Sequence, residues 1–238
     1  MDLAGSLELL WGDRPGPRRG PKPALSHELI AQTGIGIADA EGLAAVSMQR
    51  VAAELGFTKM SLYRYVPGKA ELVALMADLA MGTPPTDLRD GDWHDGLRAW
   101  TLALLPGFLR HPWVPEATTG PRVVGPNELA WMEAALAVLD GTGLGGSERM
   151  DVLAVLAGHV RSIAQQATAG SDPGAQFGAM LFEVVRERGD RYPAVQAALT
   201  ESMAEGGEDE AFDFGLDLIL AGLRTRIASH TPDKPRYP

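Results

Sequence analysis

From Ser26 to about residue 229 the apolar residues recur at three- and four-residue intervals, and no stretch combines strict alternation with β-branched enrichment. The pattern predicts an all-α fold. Capping and breaking residues divide it into helices. Ser26 is placed to cap a first helix ending near Glu41-Gly42, Ser47 caps MQRVAAEL up to Gly56, and Thr58 caps KMSLYRYV up to Pro67-Gly68. A fourth helix, KAELVALMADLAM, runs from Lys69 to Gly82, and TPPTD at 83–87 predicts a hinge. Further helices are expected at 93–110, 126–140, 147–168, 174–188, 193–204 and 209–229. Ahead of Ser26, the stretch RPGPRRGPKP is so rich in proline and glycine that a packed element in residues 1–25 is not expected. The organisation predicted is therefore a flexible basic arm (1–25), a small helical domain (26–82), a larger helical domain (88–229) and a tail (230–238). No repeat of 20–50 residues is visible, which excludes a solenoid.

Composition narrows the class. Of 238 residues, 45% are apolar and 22% charged, the balance of a soluble globular protein. The absence of cysteine removes disulfides, thiolate metal sites and cysteine nucleophiles, and fits a cytosolic address. No window of 18 uninterrupted apolar residues predicts a membrane span, and the first residues lack the basic segment of a secretory signal. Arginine outnumbers lysine seventeen to four, which with abundant Ala, Gly and Pro points to a GC-rich bacterial genome. The net charge of −10 is unevenly placed: −3 over residues 1–13, +2 over 14–83 and −9 over 84–238. The only basic excess lies near the N-terminus, where Arg14, Arg18, Arg19 and Lys22 precede the first helix.

The second and third helices are too short to persist alone, so they must pack on each other and on the first. Val51, Ala52 and Leu55 form one apolar stripe, answered by Leu62 and Val66. Ala52 permits close approach, and Gly56 permits a tight turn that sets the pair at a steep angle. This is a helix-turn-helix, whose second helix is suited to a DNA major groove. Its outward positions hold Lys59, Met60, Ser61, Tyr63, Arg64 and Tyr65, with no acid among them.

The stretch EGLAAVSMQRVAAELGFTKMSLYRYVPGKAELVALMAD (41–78) resembles the DNA-binding domain of the tetracycline-repressor (TetR) family of bacterial regulators. The residues that carry the resemblance are Ser47, Met48, Val51, Ala52, Leu55, Gly56, Ser61, Leu62, Tyr63, Tyr65, Val66, Lys69 and Leu72. Beyond residue 82 the chain is similar in helix count and in its terminal FDFGLDLILAGLRTRI. The resemblance implies that Tyr63, Tyr65 and Lys69 contact phosphates. It also implies that Ser47 caps the helix in which Gln49 reaches backbone or a base edge. Lys59 and Arg64 then face guanine edges, and Met60 or Ser61 a thymine methyl. Arg18 and Arg19 of the arm are candidates for an adjacent minor groove.

A single recognition helix reads too little sequence, so a homodimer on a palindromic double-stranded operator is expected. The apolar line of the 209–229 helix (Phe212, Leu216, Ile219, Leu223) and that of the 147–168 helix (Leu153, Ala157, Val160) are the predicted dimer surface, as the family resemblance implies. The 93–110 helix is apolar on nearly all sides and carries Pro106, whose missing N–H predicts a kink. Trp100, Leu104 and Phe108 from it, with Trp113, Trp131, Leu156, His159, Ile163 and Gln166, are expected to line a pocket for a small hydrophobic or aromatic effector. For His159 a satisfied core position competes with that role.

Chemistry-bearing alternatives fare worse. GTGLGG (141–146) follows a helix rather than a strand, so no dinucleotide site is expected there. No P-loop, G-x-S-x-G or H-E-x-x-H occurs, and no cofactor or metal is implied. An all-α enzyme, or a helical binding module without DNA, would leave the acid-free helix face unexplained. The expected function is a ligand-responsive transcriptional regulator released by a small-molecule effector; the family resemblance implies a repressor, while the residues themselves leave the sign of regulation open.

Overall fold

Capping side chains set the helix starts that the sequence pattern marks. The Ser26 hydroxyl accepts the Leu29 N–H at 3.1 Å, Ser47 that of Arg50 at 3.1 Å, and Asp92 that of Asp95 at 3.0 Å. The computed structural model describes residues 3–12, 25–120, 122–167, 173–205 and 210–230. Among these residues the regular structure is entirely helical. The helices are α1 (Leu3–Trp11), α2 (His27–Glu41), α3 (Met48–Glu54), α4 (Lys59–Tyr63), α5 (Lys69–Met81) and α6 (Trp93–Arg110). They continue with α7 (Val114–Ala117), α8 (Pro126–Val138), α9 (Gly146–Ala167), α10 (Pro173–Arg188), α11 (Pro193–Glu205) and α12 (Ala211–His230). Short 3-10 turns occupy Leu43–Ala45 and Gly189–Arg191.

Helices α2 to α4 form the small N-terminal unit, closed by α5. Helix α5 is shared: it packs on α1 and α2 on one side and on α6, α7 and α8 on the other. Its Leu72, Leu75, Met76 and Ala77 are buried. Asp78, also buried, crosses the junction, because its carboxylate accepts the backbone N–H groups of Asn127 (2.9 Å) and Glu128 (3.1 Å) in the first turn of α8. A negative charge there also meets the positive end of that helix. The two units are thereby joined by a buried polar lock as well as by apolar packing.

Helix α1 corrects the expectation that residues 1–25 hold no packed element. Leu9 and Leu10 are buried, Ser6 donates to the buried Glu71 carboxylate at 3.3 Å, and the Trp11 indole donates to the Val124 carbonyl at 2.9 Å. The proline and glycine signal begins only at Arg14; the LELLW segment before it is a good helix former with an apolar face. The basic positions Arg14, Arg18, Arg19 and Lys22 lie outside the described residues.

In the larger unit α6 is central, packed against α8, α9 and α12. It buries Leu97, Trp100, Thr101, Leu104 and Phe108 and runs as one helix through Pro106. The Thr101 hydroxyl turns back on the Leu97 carbonyl at 2.7 Å, so the one hydroxyl in this apolar stripe is satisfied. Helices α9 and α12 lie against each other, α10 rests on α9, and α11 folds back on α10. Among the described residues no helix is long and apolar enough to cross a membrane.

Candidate nucleic-acid interface and sensory core

The turn between α3 and α4 is built locally. Met48, Val51 and Ala52 of α3 and Leu62 of α4 face inward. Gly56 has φ +73°, a left-handed conformation that glycine adopts without penalty, and the Phe57 N–H closes the turn on the Ala52 carbonyl at 2.8 Å. Thr58 caps α4 by accepting the Ser61 N–H at 3.2 Å, and the Thr58 and Ser61 hydroxyls share a hydrogen bond of 2.9 Å.

With Leu62 committed to the core, the rest of α4 faces outward. Met60 is 72% exposed and Tyr63 38%. The Lys59 ammonium lies 5.4 Å from the Tyr63 ring centroid, a cation–π contact that orders both side chains. Arg64 is exposed at the end of α4, Lys69 at the start of α5, and Gln49 in the first turn of α3. Among the described residues no carboxylate pairs with Lys59, Arg64 or Lys69, whereas Arg50 is held by Glu41 at 2.9 Å and by Glu54. The outward face is thus cationic with no internal counter-charge. Tyr65 is half-buried, its ring edge-on to His27 at 5.8 Å, and His27 Nε2 donates to the Tyr65 carbonyl at 3.0 Å. His27 was not singled out from sequence, since its contact joins residues 38 apart. Ser47 acts through its cap, as expected.

The residues expected to line an effector pocket are only partly brought together. Trp100, Leu104, Phe108, Trp131 and Leu156 are buried and belong to the central core. The Trp100 indole donates to the Trp131 carbonyl at 2.9 Å with the two rings edge to face at 6.0 Å, and the Trp131 indole donates to the Gly82 carbonyl at 3.0 Å. Trp113 is buried at the junction instead, donating to the Asp39 carboxylate of α2 at 2.7 Å beside His111, which donates to the same group at 2.9 Å. His159 faces the other way. Its Nε2 donates to the Phe212 carbonyl at 2.9 Å, its ring stacks on Phe212, and Gly215 makes room for it, because any Cβ there would overlap the imidazole. Gln166 is exposed and bonds Ser162, and Ile163 is half-buried. Two clefts open elsewhere. One of about 270 Å³ lies at the junction between Leu10, Trp11, Ala31, Leu75, Asp78 and Asn127. The other, about 440 Å³, lies between Leu88, Trp93, Asp140, Thr142 and Ile227. At the start of α6, Asp92, His94 and Asp95 hold ligand atoms within 4.8 Å of one another, but Asp92 is already the helix cap.

The expected dimer surface needs the clearest correction. Leu153, Val160, Leu216 and Leu223 are buried within one chain, and Ala157, Phe212 and Ile219 are half-buried against the same core. Both apolar lines are spent inside one chain, where α9 meets α12 through His159 on Phe212 and Gly215 and through Glu148 on Arg226. The opposite sides of these helices expose Val155, Phe214 (67%) and Leu218 (59%). A helix apolar on two sides shows one periodicity, and the residue spacing alone does not say which side is inward.

Two units locked through a shared helix, one presenting an acid-free recognition helix and the other enclosing an aromatic core, define a helix-turn-helix regulator with a separate sensory domain. Residues 27–76 match the family model of bacterial regulatory proteins of the tetR family, and residues 84–227 that of the tetracyclin repressor-like C-terminal domain. The chain is 40% identical over 239 residues to the HTH-type transcriptional repressor DrrR1 of Streptomyces coeruleorubidus, covering 95% of this chain and 87% of that protein. It is 28% identical over 213 residues to an HTH-type transcriptional regulator of Saccharopolyspora erythraea, covering 88% and 89%. Among solved structures, apo ActR of Streptomyces coelicolor aligns with a TM-score of 0.71 at 25% identity, over 88% of this chain and 99% of that one. ActR has also been solved with (S)-DNPA and with actinorhodin. The chain belongs to the TetR family: it is a ligand-responsive DNA-binding transcriptional regulator and not an enzyme.

Proposed function

We propose that two copies of this chain bind a two-fold-symmetric operator through paired α4 helices, repress transcription there in the cytoplasm, and are released by a small hydrophobic or aromatic effector held in the C-terminal unit. The observation that carries the reading is the outward face of α4, where Lys59 and Arg64 flank Tyr63 and no carboxylate among the described residues pairs with either cation. A duplex supplies that charge as phosphates and offers guanine edges to Lys59 and Arg64. Gln49, Ser61, Tyr65 and Lys69 flank the contact, with Met60 against a thymine methyl. The basic residues Arg18 and Arg19 extend the electrostatic footprint.

The second copy docks on the outer sides of α9 and α12, where Val155, Phe214 and Leu218 form an apolar face. Such a dimer sets the two α4 helices roughly 34–36 Å apart, one turn of DNA. Effector binding near Trp100, Leu104, Phe108 and Trp131 moves α6 and α8. Two contacts carry that movement to the recognition unit: Trp131 to Gly82 at the end of α5, and Trp113 with His111 to Asp39 on α2. The ligand complexes of ActR support a sensory role for this unit. The effector needs only a differential affinity of about 1–3 kcal/mol between the two spacings to release DNA.

Fluorescence anisotropy on duplexes from the DNA adjoining the gene tests this. Two chains per duplex are expected, with log affinity falling linearly against log salt. One chain per site, or binding indifferent to salt, contradicts it.

A further inference from the structure

We propose that Arg161 is an anion-binding residue of the effector site and that the effector is an aromatic molecule carrying a carboxylate or an ionised phenol. The inference rests on the regulator reading above and names the ligand class of its sensory unit.

Arg161 stands on α9 between the fully buried Val160 and the buried Ala164, and is itself half-buried. Its Nε is shut off from solvent without a hydrogen-bond partner, and no ion pair among the described residues reaches its guanidinium. Its charged neighbours are Arg122 and Glu128. Arg122 and Glu128 are joined to each other, with only 20% and 16% of their side chains exposed. Glu128 is therefore committed to Arg122, and no carboxylate among the described residues pairs with Arg161. Burial, and next the charge of Arg122, push the Arg161 guanidinium below its ordinary pKa, yet an arginine does not shed its proton in a protein. A cation placed so needs an anion.

Shortage of acids does not explain the vacancy in charge, because the chain holds 31 acidic residues against 21 basic ones. Arg122 and Arg149, whose Nε atoms are likewise buried without a partner, are each matched by a carboxylate, Glu128 and Asp140, and the unmatched Arg89, Arg110, Arg188, Arg191 and Arg224 are exposed to water. Among the described arginines, Arg161 combines a buried Nε with no acid partner. Glu128 and Trp131 share a face of α8 at a spacing of three, Trp131 meets Trp100, and Arg161 flanks Val160 and Ala164 of the same core. A planar ring against this apolar wall brings an acid group to the guanidinium, whose fork donates two parallel hydrogen bonds to a carboxylate.

The test uses the full chain and three aromatic acids, each paired with its primary amide: benzoate, 2-naphthoate and anthraquinone-2-carboxylate. Thermal shift and tryptophan quenching are read. At least one acid is expected to bind wild type about tenfold tighter than its amide, with Arg161→Gln abolishing the preference and Arg161→Lys keeping part of it. In the free protein Arg161→Met is expected to hold or raise Tm, since an uncompensated charge is removed. No preference for any acid, a preference that survives in Arg161→Gln, or a Tm lowered by several degrees in Arg161→Met overturns the proposal. Operator anisotropy separates the two readings. Release of DNA by an amide as readily as by its acid sinks the anion site and leaves the regulator standing, whereas failure to bind any adjoining duplex sinks the regulator itself.

Discussion

The recognition unit and the sensory unit are built from the same kind of element but hold their chemistry in opposite ways. In α3 and α4 the chemistry points outward and the scaffold is local: Ser47 and Thr58 cap within three residues, Gly56 turns the chain, and Leu62 anchors α4. In the sensory unit the chemistry points inward and depends on distant partners, with Trp100 on Trp131, Trp131 on Gly82 and Trp113 on Asp39. A unit that reads a rigid duplex needs a preformed face. A unit that must respond to a ligand needs its polar groups tied to the parts it moves.

The largest effects fall where each unit commits its surface. Replacing Lys59 and Arg64 together by Glu puts four repelling charges on the two recognition helices of the proposed dimer. Loss of base contacts at about 1–3 kcal/mol each is expected to cut operator affinity by roughly a thousandfold or more, with the circular dichroism spectrum unchanged. Retained binding in the anisotropy assay would show that α4 does not enter the groove. The two sides of α12 provide the next contrast. Leu220 is fully buried in the chain, so Leu220→Ala is expected to cost about 2–5 kcal/mol in denaturant unfolding. Phe214 is exposed, so Phe214→Asp is expected to leave the fold intact and to shift sedimentation from dimer to monomer. A chain that stays dimeric with Asp at 214 places the partner contact elsewhere.

The same contrast governs what could be read from the sequence. Helices α2 to α6 were legible to within a few residues because caps, glycines and prolines act on near neighbours. The outward face of α4 was legible because the core claims only Leu62 of that helix. Direction in α9 and α12 was not, since both sides of these helices are apolar and only the packing selects Leu216 as inward and Phe214 as outward. His159, Asp39 and Asp78 take their meaning from partners 49 or more residues away, beyond any periodicity. Helix α1 was obscured by the proline-rich stretch that follows it.

Smaller effects test how local each scaffold is. Removal of a cap in Ser47→Ala or Thr58→Ala is expected to cost about 1 kcal/mol each, and to weaken operator binding because the α3–α4 face loses its preformed geometry. Equal operator affinity with lowered Tm would mean that DNA restores the turn by itself.

Glu148 supplies the smallest and most specific effect, in the unit whose ties are long-range. The Gly145 N–H donates to its carboxylate at 3.0 Å, Arg226 near the end of α12 donates at 2.8 Å, and His230 lies 3.3 Å away. The backbone hydrogen bond from Gly145, and next the guanidinium hydrogen bond from Arg226, hold its carboxyl below the ordinary value of 4.5. A carboxylate whose pKa is depressed by folding contributes its stability above the unfolded value and loses it as pH falls through the folded one. Wild type is therefore expected to melt slightly higher than Glu148→Gln at pH 7, with the gap closing below about pH 4.5 as the carboxyl protonates. Raising salt should narrow the same gap at pH 7, because the pair is near the surface. A gap indifferent to both would mean that Glu148 joins α9 to α12 through the shape of its hydrogen bonds, and that its charge has no part in tying the two helices together.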